Sequence, residues 1–258
     1  MIILEEIDTE FGIIKICESL TDKSRTYCQD SWSQSLADEN GQSLIAYVHA
    51  MHGALVQANA HKVAIFGCAG GTLATMLTGS GCNVTAIDVN PHTFDLARRY
   101  FQMSPDVQCV TDDARNFLET TTDMFDGIAI DAFDNGAIPA HLRTVEFFRT
   151  ATARLNPGGV VVINAIVSHD LDMLADNVAA SLHAASQFPV VILDDLHNPD
   201  RNVVIIAGHI PQLTFPCGNE PLAIQRELAT MVQRPVRRQA TRYYDAGIAA
   251  GQDENLTA

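Results

Sequence analysis

Residues 63–77 read VAIFGCAGGTLATML. The apolar run after Lys62 predicts a strand over Lys62–Phe66 that is covered on both faces. The glycines that follow predict a turn into a helix starting near Thr72. Gly67, Gly70 and Gly71 let a ligand approach the backbone closely and set helix N–H groups beside it. The spacing departs from G-x-G-x-x-G: Ala69 and Thr72 stand where the second glycine and the third Gly or Ala would be. That weighs against a dinucleotide.

Outward from this turn, strands and helices alternate. Strands are predicted over Asn83–Ile87, Val107–Val110, Phe125–Ile130 and Val160–Asn164, with Gly158-Gly159 as punctuation before the last. Helices are predicted over Pro91–Phe101, Ala114–Leu118, Val145–Leu155 and Leu171–Ala185. Val190–Leu193 and Val203–Ile206 close the series around an Asn198-Pro199-Asp200 turn. Upstream, ILEEI, GIIKICE, RTYCQ and SQSLA read as short strands, and Gln42–Gln57 as a helix with Leu44, Ile45, Val48, Met51 and Leu55 on one face. The pattern predicts an α/β fold: a mostly parallel sheet with helices on both faces and an antiparallel closing edge. The expected division is a small N-terminal β-domain over residues 1–41, a catalytic domain over 42–234, and a mobile tail over 235–258.

The chain has 258 residues, enough for one large domain or one domain with a small appendage. Thirty-one acidic residues against 16 basic give a formal charge of −15, which argues against nucleic acid as a main partner. Arg237, Arg238 and Arg242 are too few to form such a surface, and Arg98-Arg99 reads as a solvated helix end. No apolar run approaches membrane-spanning length, and MIILEEIDTEFG lacks the basic start of a secretory signal. The cysteines (Cys17, Cys28, Cys68, Cys82, Cys109, Cys217) form no CxxC or Cys/His cluster. They read as apolar fillers in a reducing cytoplasm, with no metal site. His49 and His52 could share a helix face but lack a third ligand. Cys68 has no base partner and reads as packing.

The chemistry gathers at predicted strand ends. Asp88 lies about 20 residues past the glycines, where an acid can accept from both ribose hydroxyls; it could also simply cap the next helix. Asp112 or Asp113 could cap the helix after the third strand, accept from an exocyclic amine such as adenine N6, or do both. Asp131 and Asp134 leave the fourth strand three residues apart. Together they can hold a cationic amine, and one can take its proton. Neighbouring carboxylates raise each other's proton affinity. Asp134-Asn135-Gly136 also reads as an ordinary turn, and the loop to Leu142 is long enough to act as a lid.

In series, GCAGGTL, AIDVNPHTFDLARRYF, DDARNFL, FDGIAIDAFD and VEFF…LNPGGVVV resemble the spermidine synthase family of aminopropyltransferases, within the class I AdoMet-dependent methyltransferase fold. The likeness runs from about Ile3 to Gly208 and is clearest over Val63–Asn164. It resembles most the divergent spermidine synthase-like branch, in which the fourth strand ends in Asp-Ala-Phe and the loop runs on to IPAHLRTVEFF.

The resemblance implies a Rossmann-like, seven-stranded sheet behind the N-terminal β-domain, acting as a cytoplasmic homodimer on a small amine substrate. It places Gln34, Gly67, Gly70 and Gly71 against an adenosyl cofactor, Asp88 on its ribose and Asp113 on its adenine. Asp131 would deprotonate the attacking amine, and Asp134 would bind it. Tyr47 stands near a substrate-binding motif that has no clean match here. The implied reaction moves an aminopropyl group from decarboxylated S-adenosylmethionine (AdoMet) to a polyamine or other amine. One departure opens an alternative. Ala69 stands where family members carry an Asp that grips the amine end of decarboxylated AdoMet and would repel the carboxylate of intact AdoMet. An AdoMet-dependent methyltransferase on the same frame is therefore the second expectation, and a non-catalytic adenosyl binder the third. The only tryptophan is Trp32, so none stands near the late substrate loop, where Leu196-His197-Asn198 lies instead.

Overall fold

The computed structural model of the chain describes residues 1–134, 136–196, 198–208, 212–218 and 220–249. Asn135 of the acidic loop, His197 and the last nine residues of the expected tail lie outside the described residues.

Four strands, β1 (Ile2–Thr9), β2 (Gly12–Glu18), β3 (Arg25–Gln29) and β4 (Trp32–Ala37), form an antiparallel meander in chain order. Their alternation buries one face. Ile14, Ile16, Tyr27 and Ala37 pack on Leu96 and Phe101 of the larger unit.

Helix α1 (Ala46–Gln57) leads into the second sheet. Its strands are β5 (Lys62–Phe66), β6 (Asn83–Asp88), β7 (Gln108–Thr111), β8 (Phe125–Ile130), β9 (Leu155–Val167), β10 (Val190–Asp194), β11 (Arg201–Ala207) and β12 (Val232–Arg234). Between them run α2 (Thr72–Gly79), α3 (His92–Tyr100), α4 (Ala114–Thr120), α5 (Val145–Ala153), α6 (Leu174–Ser186) and α7 (Leu222–Thr230), with α8 (Asp245–Ala249) last. The strand order is β12-β10-β11-β9-β8-β5-β6-β7. Strands β5 to β9 pair in parallel, and β11 inserts antiparallel between β9 and β10.

The apolar runs are continuous because both sheet faces are covered. In β5, Val63 and Ile65 join the core beneath α1, α2, α3 and α7. Ala64 and Phe66 join the opposite core beneath α4, α5 and α6. β9 and β11 split their residues in the same way. Each fully buried Val, Ile or Phe contributes roughly 1.5–3 kcal/mol. Among the described residues, no helix is long and apolar enough to cross a membrane.

Four expectations need correction. The sheet has eight strands, not seven. The extra one, β12, is Val-Gln-Arg and carries no apolar run; ion pairs from Arg234 hold it in place. Helix α1 begins at Ala46 rather than Gln42, because Ser43 bridges to Ala37 and Leu44 N–H donates to the Leu36 carbonyl. Strand β9 begins at Leu155 and passes through Gly158-Gly159, and a register shift against β8 absorbs the glycines.

The expected tail is held over its described part. Arg237 pairs with Asp176, the Tyr243 N–H donates to Ser181, and the Tyr243 carbonyl accepts from Val145 N–H. Asp245 pairs with Arg115 at 2.9 Å. The low apolar content of this segment concealed an attachment that is largely polar.

Candidate active site

Strand β5 is where the sheet changes direction, with β6 on one side and β8 on the other. A crevice forms at the carboxyl ends of parallel strands at such a point. Gly67 follows β5 there in the left-handed region (φ 87°), and a Cβ on it would stand 2.3 Å from the Asp131 carbonyl oxygen. The Asp131 N–H donates to the Phe66 carbonyl at 2.8 Å, so the glycine turn and the acidic loop lean on each other. Gly67→Ala is expected to displace the Asp131 loop and cost about 2 kcal/mol or more. A denaturant midpoint equal to the wild type's would show that this contact relaxes freely.

The glycine turn differs from expectation in its hydrogen bonding. Gly67 N–H donates to Ile87, Gly70 N–H to Ser35 Oγ and Gly71 N–H to Cys68. The N–H groups of Cys68 and Ala69 both serve Asp88. The N–H groups of the turn are therefore spent inside the protein, and its glycines are required by close packing, Gly67 on the Asp131 backbone, Gly70 on Ser35 and Phe101, and Gly71 on Met103 and Ala97. Ala69 itself is left-handed, at φ 45°.

Asp88 ends β6. One carboxylate oxygen accepts from Cys68 N–H and the other from Asn90 N–H, each at 2.8 Å. Burial raises its pKa, and the N–H donors counter this only in part. With three N–H donors on it, the carboxylate keeps one acceptor site, enough for one ribose hydroxyl. Asp113 caps α4, with Oδ1 accepting from the Arg115 and Asn116 N–H groups. Its Oδ2 lies 2.8 Å from Nε2 of His141, in the short 3₁₀ turn Ala140–Leu142. Burial would raise the Asp113 pKa, but His141 and the backbone donors outweigh it and hold the carboxyl low. Capping is thus observed, and one lone pair on Oδ2 remains for an exocyclic amine.

Asp131 ends β8. Its Oδ1 accepts from Asn164 Nδ2 at 2.8 Å, and its Oδ2 faces the Tyr47 hydroxyl at 3.4 Å. Burial pushes its pKa up to about 7, while Asn164 and Tyr47 pull the other way. The rise was expected from a neighbouring carboxylate; burial is the cause instead. Tyr47 stays protonated, its pKa pushed well up by burial and by Asp131, so it acts as a donor. Asp134 is exposed and closes a turn with Ala137 through backbone bonds in both directions, as the turn reading held.

Gln34 is the extra residue of a β-bulge in β4, where Tyr27 pairs with Ser35 and Cys28 with Ser33. A bulge re-aims a side chain at a strand edge. The structure thus joins Tyr47, Gly67 and Asp131 in one cluster, with Asp88 and Asp113 farther along the same sheet edge.

Three residues escaped the sequence reading: Ser35, His141 and Asn164. Asn164 is 1% exposed and sits one strand from Asp131. Its Oδ1 has no hydrogen-bond partner among the described residues. An unmade bond of that kind costs about 1–3 kcal/mol. One signal was available, since Asn164 is the single polar residue in VVVINAIV.

The other candidates are structural. His49 Nε2–H donates to the Ser43 carbonyl, and His52 Nε2 hydrogen-bonds with the Ser80 hydroxyl. Burial and the neighbouring Asp88 push the Cys68 thiol well up, which suits packing rather than nucleophilic attack.

With this geometry in hand, comparison with known proteins is informative. A family model described as a methyltransferase domain matches residues 63–159. The chain is similar to a probable polyamine aminopropyl transferase of Bifidobacterium longum (strain NCC 2705). That match is 32% identical over 130 residues, covering 50% of this chain and 28% of that protein. The chain spans less than half the length of the curated relatives it matches.

Among solved structures, it resembles a probable spermidine synthase from Corynebacterium glutamicum ATCC 13032. The TM-score is 0.79 at 20% identity, over 95% of this chain and 97% of that one. It also resembles a spermidine synthase in complex with the transition state analogue AdoDATO. There the TM-score is 0.64 at 17% identity, over 96% of this chain and 84% of that one. At these identities the structural likenesses carry the fold: a mostly parallel α/β sheet behind an antiparallel N-terminal sheet.

Proposed function

We propose that the chain, which is similar to the divergent spermidine synthase-like proteins on the class I methyltransferase fold, transfers an aminopropyl group from decarboxylated AdoMet to an amine, with Asp131 as the base. The observation that carries this reading is the half-buried Asp131 carboxyl beside the glycine turn, its pKa pushed up to about 7 by desolvation. An amine in water is mostly protonated and cannot attack carbon. A carboxylate that first holds the cation and then accepts its proton meets both needs, and a pKa near neutrality suits both states. The bound donor supplies an electrophilic carbon beside a sulfonium, whose sulfur leaves as a neutral thioether.

The residues present fit such a donor. Asp88 keeps one acceptor site for a ribose hydroxyl and Asp113 keeps one for adenine N6. Asp131 then lies across the Gly67 contact from the turn, on the acceptor side. Positioning of this kind supplies much of the rate in a displacement that needs no covalent intermediate.

Ala69 favours a second reading, methyl transfer from intact AdoMet. A methyl side chain offers the donor's ammonium nothing and offers a carboxylate no repulsion. Against that, the N–H groups of residues 67–71 are spent inside the protein, so the turn offers a carboxylate no donor either. Paired calorimetric titrations with AdoMet and decarboxylated AdoMet decide between the two. Tighter binding of the decarboxylated donor, tenfold or more, is expected. Tighter binding of intact AdoMet would replace aminopropyl transfer by methyl transfer.

A further inference from the structure

The amide of Asn164 is engaged at one end only. Its Nδ2 donates to Asp131 Oδ1 at 2.8 Å, and a carboxylate can only accept, so the nitrogen is the end that faces it. The oxygen end is therefore left over. It is buried, it has no partner among the described residues, and it sits on the same amide that touches the base. Asp131 Oδ2 receives only the long Tyr47 contact, at 3.4 Å, and keeps acceptor capacity. Two unfilled acceptors thus belong to one hydrogen-bonded pair, Asp131 with Asn164.

We propose that Asp131 Oδ2 and Asn164 Oδ1 form a paired cradle for the two N–H bonds of a primary amine, and that Asn164 thereby selects primary over secondary amines. The inference rests on the alkyl-transfer reading of the site and names its substrate class.

The geometry of attack requires the amine lone pair to point at the donor carbon. A neutral primary amine then has two N–H bonds left, one for each acceptor. In the step itself the N–C bond forms as the C–S bond breaks, and the C–S electron pair leaves on sulfur. Asp131, once it has passed the proton of the bound cation to solvent, takes one proton from the new secondary ammonium, which keeps its bond to Asn164. A secondary amine has one N–H and leaves the Asn164 oxygen unmet in a buried place. Sites built to hydrogen-bond a group reject analogues that lack it, because their own polar atoms are then stranded.

The test uses the full chain, decarboxylated AdoMet and AdoMet as donors, and diaminoalkanes of three to five carbons with their N,N′-dimethyl analogues as acceptors. Thioether release is the readout. The wild type is expected to favour the primary series at least tenfold in kcat/KM. Asn164→Leu is expected to reduce that preference to within about threefold, whereas Asn164→Gln, which keeps both amide ends, retains most of it.

A second readout separates a role in the site from a role in packing. Removing the Nδ2 donor from Asp131 should shift the pH profile of kcat/KM upward in Asn164→Leu and not in Asn164→Gln. If Asn164→Leu does not fold, Asn164→Gln and Asn164→Ser carry the comparison, the second lacking the amide. An unchanged preference in a folded variant without the amide overturns the inference and leaves the alkyl-transfer reading standing. A wild type that releases no thioether from either donor overturns that reading, and the inference with it.

Discussion

Asp131→Asn is expected to lower kcat roughly 10²–10⁴-fold, the usual worth of a positioned base, while leaving donor binding nearly intact. The asparagine keeps the shape, and its Oδ1 can still accept from Asn164 Nδ2. What it loses is the ability to take a proton. Turnover at the wild-type rate would remove the base assignment. In the wild type, kcat/KM should climb as pH rises through about 7, because a desolvated carboxyl with a raised pKa serves as a base only once ionised. A profile that stays flat from pH 5.5 to 8.5 would contradict this.

The same substitution should act on stability in the opposite sense. The folded pKa of Asp131 is raised above its unfolded value, so the native state binds the proton more tightly. The stability this lends is fully present below about pH 4 and is lost as pH rises through about 7. At pH 8 the ionised carboxylate is a burden on the fold. A rise from 3.8 to about 7 corresponds to at most about 4 kcal/mol. Asp131→Asn should therefore unfold at higher denaturant than the wild type at pH 8, with the gap closing toward pH 4. Gain of stability with loss of turnover is the mark of a group kept for chemistry.

How far the sequence reveals this arrangement depends on range. β5, β8 and the cores they enter were legible because burial on both faces writes an unbroken apolar run such as VAIF or GIAI. Asp88 and Asp131 were legible as acids directly after such runs, and the N-terminal strands as short runs between turn residues. Asn164 was not singled out, because a polar residue inside an apolar strand gains meaning only from what β8 brings beside it. Ser35 matters only through Gly70, which lies 35 positions away. Tyr47 was placed near a substrate site, but its contact with Asp131 crosses 84 positions. His141 reaches Asp113 from the far end of the acidic loop, and neither residue's local pattern announces the pairing. The segment after β11 was least legible: its attachment is ionic, and ion pairs leave no periodicity.

That attachment makes Arg234 the residue whose loss should hurt the fold most. Its Nε donates to Asp194 at 2.7 Å, and its two terminal nitrogens hold both oxygens of Asp176 at 2.9 and 3.1 Å. Both aspartates are fully buried. Arg201 supports Asp194 and Arg237 supports Asp176, but among the described residues only Arg234 serves the two together. Breaking a buried pair from one side strands charge in a poor solvent, which typically costs about 3–5 kcal/mol.

Arg234→Met is therefore expected to lower the urea midpoint by an amount corresponding to about 3 kcal/mol, the lower end, because each aspartate keeps one partner. Arg237→Met, which removes a more exposed guanidinium, should cost less. Acid should act on the same network. Burial raises the Asp176 pKa, but the hydrogen bonds from Arg234 and Arg237 outweigh it and hold the carboxyl below its ordinary value. Its contribution is present above about pH 4 and is lost as pH falls through the depressed folded value. In Arg234→Met the acid limb of the stability curve should move to higher pH. A variant within about 1 kcal/mol of wild type, with an unmoved acid limb, would mean that Arg234 holds neither aspartate and that β12 is kept in place by its backbone bonds to β10 alone.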